Sequence, residues 1–261
     1  MKLAVLIPCL NEQDSVGLVI KSIPKHIRGI KKVDIVIVDD GSTDKTLAVA
    51  KTYGVRHFVV HKKNTGLAKS FADGVEKALA LGADIIVNTD GDNQYPQSDI
   101  PRLIAPILAG KADMVIADRQ TDTIAHFSPI KKFLQKLGSG AIRFFSGTDI
   151  PDAVSGFRAM TRDAALELNI FTKYTYTIET IIQAAKKNLR IESIKIRTNP
   201  KFRTSRLVKS YGSYIRQSLS TIVRILALYE PLKVFFNNRR TGRSAGYHCC
   251  RTIRVLCRNR Y

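Results

Sequence analysis

The fold is indicated first by the stretch Asp84-Ile85-Ile86-Val87-Asn88-Thr89-Asp90-Gly91-Asp92-Asn93-Gln94. It joins a mostly apolar run, typical of a fully buried parallel strand, to a polar turn. Four similar runs are predicted strands, and amphipathic helices are predicted between them. The strands are Lys2–Ile7, Val33–Val38, His57–Val60 and Asp113–Ala117, and the helices are Gln13–His26, Asp44–Tyr53, Leu67–Leu81 and Ser98–Leu108. Gly82 and Gly110 follow two of these helices, where C-terminal caps belong.

This alternation predicts an α/β fold with a doubly wound, mostly parallel sheet that has helices on both faces. After Arg119 the pattern predicts a helix over Ile130–Phe145, a loop and short strand over Asp152–Met160, a helix over Thr177–Lys187 and a strand over Arg190–Arg197. Ligands bind such sheets beyond the carboxyl ends of the strands, where the chain places Asn11-Glu12, Asp39-Asp40 and Asp90-Gly91-Asp92. The sequence therefore predicts one polar site at that edge.

The charge of the chain is +20, and most of it lies at the C-terminal end. From Arg197 onward there are 15 Lys and Arg residues and a single acid, Glu230. Such a segment attracts phosphates, acidic lipids or nucleic acid. The four cysteines form no C-x-x-C pair, which favours a reducing compartment. The sequence has no recognisable signal peptide, and no apolar run reaches the ~18 residues needed to cross a bilayer, so we expect no membrane-spanning segment.

The acidic pair Asp90 and Asp92 is the strongest chemical feature. Two carboxylates one residue apart at a strand end, with the amide of Gln94, are oxygen ligands that suit Mg²⁺ or Mn²⁺. A surface turn is the alternative, since turns favour Asp, Gly and Asn.

Asp39 and Asp40 end the second predicted strand. A carboxylate there can accept hydrogen bonds from a base or a ribose hydroxyl, whereas helix capping accounts for Ser42, Thr43 and Asp44. The chain has neither a Walker motif nor G-x-G-x-x-G, so ATPase and nicotinamide-binding functions lose support.

Five ordered motifs carry a family resemblance. They are Pro8-x-x-Asn11-Glu12, Val38-Asp39-Asp40-Gly41-Ser42, Asn64-x-Gly66, Asp90-x-Asp92-x-Gln94 and Ser155-Gly156-Phe157-Arg158. The set resembles inverting family 2 glycosyltransferases of GT-A fold, above all the branch of dolichol-phosphate mannosyltransferases and bacterial polyprenyl-phosphate glycosyltransferases. The resemblance covers about Met1 to Phe236. It implies that a hexose moves from GDP-mannose or a UDP-sugar to dolichyl or undecaprenyl phosphate.

The resemblance also implies roles for individual residues. Pro8, Leu10, Glu12, Val38 and Asp40 would line the nucleoside, Asp90, Gly91, Asp92 and Gln94 would hold the metal and diphosphate, and Arg119, Arg203 and Lys209 would contact phosphate. Relatives often have Tyr at the position of Leu10, so the identity of the base stays open.

An acceptor phosphate has a second pKa of ~6 and hardly needs a base at pH 7. It needs relief from repulsion by the donor diphosphate, which Arg119, Lys131, Lys132, Arg203 and Lys209 could give. Breaking the anomeric bond also leaves a diphosphate, whose growing charge a metal on Asp92 and the guanidinium of Arg119 could stabilise, so these two are predicted catalytic residues. Asp152 is a third, which would orient the acceptor or act as base, unless it is a structural partner of Arg158. Glu179 is a weaker candidate, with a solvated helix charge as the alternative.

Three regions follow. They are a GT-A catalytic domain over residues 1–200, a basic loop with juxtamembrane amphipathic helices over 201–236, and an atypical basic tail over 237–261. The helix predicted at Tyr211–Leu228 would lie in a membrane interface or pack on its own domain. The resemblance implies a nucleotide-sugar donor, a polyprenyl-phosphate acceptor and the cytoplasmic face of a membrane as partners, and no specific nucleic acid. Relatives commonly continue into transmembrane helices after a segment like Tyr229–Lys233, so one hypothesis is that a frameshift or truncation replaced an anchor.

Three other functions remain open. One is a glycosyltransferase with a glycan or small-molecule acceptor. A sugar nucleotidylyltransferase is the second, although a Gly-rich loop with a basic residue is expected after its first strand. The third is a non-enzymatic nucleic-acid or membrane binder, which would leave the acidic cluster unexplained.

Overall fold

The computed structural model describes residues 1–120, 140, 147–171 and 176–200. Along these ranges the strands are β1 (Lys2–Cys9), β2 (Lys32–Asp39), β3 (His57–Val60), β4 (Ile85–Asn88), β5 (Met114–Asp118), β6 (Arg158–Thr161) and β7 (Ile191–Lys195). The helices are α1 (Val16–Ser22), α2 (Thr46–Thr52), α3 (Leu67–Ala80), α4 (Ile100–Leu108), α5 (Arg162–Glu167) and α6 (Thr177–Lys186).

The strands form one sheet in the order β3-β2-β1-β4-β6-β5-β7. Six strands run parallel, and β6 runs antiparallel between β4 and β5. Because β6 begins opposite the end of β4, with Arg158 beside Asn88, the residues just before β6 lie at the carboxyl edge of the parallel strands. Loops that follow the parallel strands and the loop that precedes β6 therefore lie at the same edge of the sheet.

The core lies on both faces of the sheet, because alternate residues of β1 point to opposite sides. Leu3, Val5 and Ile7 pack in one cluster with α1 and α4, whereas Ala4 and Leu6 pack in another with α3 and α5. A strand buried on both faces has no room for polar side chains, which explains its continuous apolar run. The predicted α/β fold with helices on both faces is confirmed.

Helix α1 is shorter than predicted at both ends. Residues before Val16 are used in loop hydrogen bonds, and Ile23 is extended (ψ 124°) because it precedes Pro24. The caps predicted at Gly82 and Gly110 are confirmed, since both have left-handed φ values of 75° and 66°. Helix α5 was not predicted.

Several predictions lie outside the described residues. They are the helix over 130–145, the basic and amphipathic region 201–236, the tail 237–261, and Lys131, Lys132, Arg203 and Lys209. Within the ranges that are described, no helix has the length and apolar character needed to span a membrane.

Candidate active site

Loops that follow β1, β2 and β4 meet at the carboxyl edge of the sheet. The parallel register places Cys9 beside Asp39, so β1 and β2 end together, whereas β4 ends at Asn88 beside Leu6 and its loop continues along the same edge. The polar residues after these strands are thereby gathered, as the sequence predicts.

The loops after β1 and β2 are tied to each other. The amide of Asn11 donates to Ser42 Oγ (2.9 Å), and Asn11 Oδ1 accepts from the amide of Thr43 (2.8 Å). The amide of Glu12 donates to Thr46 Oγ1 at 2.8 Å. Helix capping was the wrong explanation for Ser42 and Thr43, because their bonds cross to the neighbouring loop instead.

Asp40 fastens the loop between β3 and α3. Its Oδ1 accepts from the amide (2.8 Å) and hydroxyl (2.7 Å) of Thr65, its Oδ2 accepts from the amide of Gly66 (2.9 Å), and His61 Nδ1 lies 2.8 Å from Oδ1. Burial alone would raise the pKa of Asp40, but these hydrogen bonds outweigh it and hold the pKa below its ordinary value. Asp40, which the resemblance assigns to the nucleoside, is therefore already the anchor of a loop.

The same loop crosses the turn at Gly41. Gly41 has φ 79°, and a Cβ there would lie 2.7 Å from the carbonyl carbon of Lys63. A side chain would be both strained and excluded, so only glycine allows the loop to lie so close.

The other residues assigned to the nucleoside differ in exposure. Pro8 and Val38 are neighbours in the sheet and both are buried, and Val38 packs against α3 at Gly74. Glu12 is buried and its Oε2 accepts from Ser15 Oγ at 2.8 Å, whereas Leu10 is half-buried at the edge. Contact of these residues with a nucleoside stays a prediction.

Asp90 sits against the backbone of Gly156. A Cβ on Gly156 would lie 2.7 Å from Asp90 Oδ1, so the carboxyl group occupies the space that any other residue would fill. Burial, and then repulsion by Asp92, raise the pKa of Asp90 to about 7. The Asp90 carboxyl group therefore holds its proton more tightly than an exposed one would.

Asp92 is oriented by the loop that it begins. Its Oδ1 accepts from the amide of Gln94 (3.1 Å) and its Oδ2 from Gln94 Nε2 (2.6 Å). Between them Asn93 takes a left-handed φ of 60°, which Asn tolerates better than most residues. The loop therefore turns sharply and keeps Asp92 and Gln94 together.

This donor set fits a hard divalent cation. Mg²⁺ or Mn²⁺ prefers carboxylate and amide oxygens, and its charge would relieve the repulsion that raises the pKa of Asp90. Among the described residues no group of three or more His, Cys, Asp or Glu side chains gathers as a metal site would. The amide oxygen of Gln94 is thus the protein atom that could join the two carboxylates.

Arg119 and Asp152 form a buried two-pronged ion pair. Arg119 Nε lies 2.6 Å from Asp152 Oδ2, and the second guanidinium nitrogen lies 2.9 Å from Oδ1. The Asp152 side chain is only 3% exposed. Asp152 is therefore the partner of Arg119 and not of Arg158, while its role as a base stays a prediction.

The motif Ser155-Gly156-Phe157-Arg158 forms the wall behind Asp90. The amide of Gly156 donates to Tyr95 Oη (3.1 Å), and its carbonyl accepts from Asn88 Nδ2 (2.9 Å). Arg158 is fully buried and donates to Thr180 Oγ1 at 2.6 Å and to the carbonyls of Ser155 and Thr177. Hydrogen bonds between Gly156 and Asn88 and between Arg158 and α6 thus tie this wall to β4 and to α6.

Glu179 is also internal. It is 1% exposed, and its Oε1 accepts from the amide of Phe171 at 3.0 Å. The alternative of a solvated helix charge was wrong.

Sequence reasoning missed three residues that shape this site. They are Tyr95, Gly156 as the neighbour of Asp90, and Asn199, which donates to the carbonyls of residues 93–95. Burial raises the pKa of Tyr95 to about 12, so its hydroxyl stays neutral. Their roles depend on contacts between distant parts of the chain, which carry no local signal.

Comparison with known families shows which family the chain belongs to. A model of the family described as glycosyl transferase family 2 matches residues 4–168. The chain belongs to this family. It is therefore a glycosyltransferase, and the predicted GT-A fold is confirmed.

Two relatives from this family have informative names. A UDP-N-acetylglucosamine–dolichyl-phosphate N-acetylglucosaminyltransferase of Methanococcus voltae is 28% identical over 74% of this chain and 84% of its own length. A polyprenol monophosphomannose synthase of Mycolicibacterium smegmatis is 26% identical over 82% of this chain and 83% of its own.

A solved structure shows the same fold at lower identity. Glucosyl-3-phosphoglycerate synthase from Mycobacterium tuberculosis, in complex with Mn²⁺, UDP-glucose and phosphoglyceric acid, has a TM-score of 0.67. The two chains are 21% identical, and the match covers 87% of this chain and 79% of the other.

Proposed function

We propose that this glycosyltransferase moves a hexose from a nucleotide-diphosphate sugar to a polyprenyl phosphate, with inversion, and that it requires Mg²⁺ or Mn²⁺. The donor is GDP-mannose or a UDP-sugar. The observation that carries the proposal is the acidic pair at the edge where the loops meet: Asp90 lies against Gly156, and Asp92 is close enough to raise the pKa of Asp90.

The donor half of the proposal rests on charge. A diphosphate cannot approach two carboxylates unless a cation lies between them, and the repulsion between Asp90 and Asp92 favours such a cation. When bound, the cation would neutralise charge on the leaving diphosphate. Arg119 lies near enough to lower the pKa of Asp90, so a second positive group is at hand.

The ion pair with Asp152 gives Arg119 a fixed direction. A guanidinium held through two of its nitrogens has few rotamers left, and so can face developing negative charge without reorganising. In this reaction an acceptor phosphate oxygen bonds to the anomeric carbon while the bond from that carbon to the diphosphate breaks. Asp152 then serves to orient Arg119, and the nucleophile is an oxygen of the dianionic acceptor phosphate.

The acceptor half rests on the relatives and on the sequence beyond residue 200. Two relatives are named for dolichyl-phosphate and polyprenol substrates. The segment from Lys201 to Lys209 is basic, and an amphipathic pattern follows over Tyr211–Leu228. Arg203 and Lys209 would contact phosphate there, at a membrane surface that supplies the lipid.

A thermal-shift panel of sugar nucleotides with Mn²⁺ tests the donor half. We expect one donor to raise the unfolding midpoint in the presence of metal, and Asp92→Ala to abolish this rise. Asp163→Ala, an exposed acid on α5, is the matched control. Equal stabilisation of Asp92→Ala by donor would contradict the metal assignment.

Transfer of labelled hexose tests the acceptor half. Dolichyl and undecaprenyl phosphates in detergent are compared with phosphoglyceric acid, the soluble acid in the complex of the solved structure. Product in the lipid phase supports the proposal. Product formed only from the soluble acid would replace the lipid acceptor with a small phosphorylated molecule.

A further inference from the structure

Asn199 lies four residues beyond the end of β7, beside the loop that follows β4. Its backbone amide donates to the carbonyl of Gln94 at 2.9 Å. Its side-chain Nδ2 donates to the carbonyls of Asn93 (2.9 Å) and Tyr95 (3.3 Å). One residue thus satisfies three consecutive carbonyls of a loop that is more than 100 positions away in the sequence.

The loop that Asn199 holds is strained and short. Asn93 has a left-handed φ of 60°, a conformation that costs free energy for any residue other than glycine. Within the loop, Asp92 binds the amide and side chain of Gln94. These bonds set the spacing of Asp92 and Gln94, but they do not attach the loop to the rest of the protein.

Asn199 provides that attachment from the strand side. Because Nδ2 lies between two carbonyl oxygens, the side chain must present its nitrogen there, and only a donor is compatible with the position. Tyr95, whose carbonyl accepts from Asn199, also receives the amide of Gly156 on its hydroxyl at 3.1 Å. The loop is therefore fixed to the segment that follows β7 on one side and to the wall behind Asp90 on the other.

We propose that Asn199 is a positioning residue for the ligand loop Asp92–Gln94. It keeps the loop in the turned conformation that aims Asp92 toward the space in front of Asp90. The expected effect on metal binding rests on the proposed function, whereas the effect of Asn199 on the conformation of the loop is independent of it.

The decisive variant is Asn199→Asp, which has the same shape but puts a carboxylate oxygen against two carbonyls. Asn199→Ala removes the donors without this repulsion. Ser193→Ala is the matched control, because it removes one side-chain bond from β7 to the carbonyl of Ile116 (3.2 Å), away from the loop. All three variants are first compared with the unchanged protein by thermal unfolding in EDTA.

Hydrogen exchange without metal measures the loop directly. We expect peptides that cover Gly91–Gln97 to exchange about tenfold faster or more in Asn199→Asp, and at the normal rate in Ser193→Ala, as loss of one or two hydrogen bonds predicts. Unchanged exchange in these peptides would overturn the positioning role, whether or not the protein binds metal.

Titration with Mn²⁺, followed by electron paramagnetic resonance, measures the consequence. Changes to outer partners of metal ligands typically cost about 10- to 100-fold in affinity, and we expect a loss of this size in Asn199→Asp and Asn199→Ala. Affinity within twofold of the unchanged protein would overturn the inference. If the unchanged protein takes up no Mn²⁺, the proposed function fails at its metal, and the exchange experiment still decides the role of Asn199.

Discussion

At the scale of single residues, the space beside Asp90 is decided by a missing side chain. A methyl group on Gly156 would lie 2.7 Å from Asp90 Oδ1, so Gly156→Ala must displace the carboxyl group. We expect Mn²⁺ affinity to fall about 10- to 100-fold, as for other disturbed metal shells, with the fold retained. In the described part of the chain no atom lies within 4 Å of a methyl group at Gly140, so Gly140→Ala should bind Mn²⁺ normally. Normal Mn²⁺ affinity in both variants would show that the Asp90 carboxyl group can move aside and still bind the metal.

The charge of Asp90 should also be visible in stability without metal. Its pKa is about 7 in the folded protein, against 3.8 ordinarily, so the folded state holds an extra proton between these values. Stability therefore falls as pH rises from about 4 to 7. Asp90→Asn carries no charge at this position and should be about 1–2 kcal/mol more stable than the unchanged protein at pH 8, because Asp90 is only half-buried and solvent screens part of the repulsion.

Urea unfolding in EDTA at pH 4, 6 and 8 measures this difference. The two proteins should converge toward pH 4, and Asp163→Asn, which changes an exposed acid on α5, is the control. If the free energies of unfolding of Asp90→Asn and the unchanged protein differ by the same amount at all three pH values, the pKa of Asp90 is not raised in the folded protein.

Sequence alone located the acids of the site but not their surroundings. Asp90 and Asp92 follow a continuous apolar strand, and the carboxyl edge of a parallel sheet is where ligands bind, so their place was predictable. The contacts of Tyr95 with Gly156 and of Asn199 with Asn93 join positions 61 and 106 residues apart. Such pairings arise from the folded topology, and no local pattern announces them.

At the scale of elements, the loop between β3 and α3 depends on one carboxylate. Asp40 accepts two hydrogen bonds from Thr65 and one from Gly66, while Lys62 and Lys63 beside them are exposed. In Asp40→Ala the loop should open more often, and trypsin should cut after Lys62 or Lys63 about tenfold faster or more, since each lost bond contributes about 1 kcal/mol.

Mass spectrometry of timed digests identifies the cleaved bonds. Asp99→Ala, which removes an exposed pair with Arg102 on another part of the molecule, serves as control. Equal cleavage rates for Asp40→Ala and the control would show that other contacts hold the loop.

The bounds of the strands and helices were easier to predict where an element is more completely buried. Strands such as β1 and β2 are buried on both faces, so their apolar runs are continuous and their bounds are nearly those predicted. Strand β6 has four residues, and its direction and its place between β4 and β5 are set by pairing alone. Helix α5, with six residues, is too short for a periodic pattern to be recognised.

At the scale of the whole molecule, positive charge is concentrated at the C-terminal end of the chain. Asn237–Tyr261 contains seven arginines and no acid. A chain that stops at Phe236 should bind vesicles of phosphatidylserine and phosphatidylcholine at least tenfold more weakly at low salt, because each basic group near such a surface contributes about 1 kcal/mol.

The same shortened chain should keep its stabilisation by sugar nucleotide and Mn²⁺, since every predicted donor ligand precedes residue 237. Vesicle sedimentation and thermal shift measure the two properties in one preparation. Loss of donor stabilisation on removal of the tail would place the tail in the catalytic unit.

The insertion of β6 between β4 and β5 has a consequence for how the protein is made. Strand β4 ends at Asn88, but its neighbour begins only at Arg158, so about 70 residues must be synthesised before that edge is paired. Until then the emerging chain presents the open edge of a mostly apolar strand, which is prone to pair with other chains. The strand that completes the wall behind Asp90 is therefore also the one whose late synthesis covers the open edge of β4.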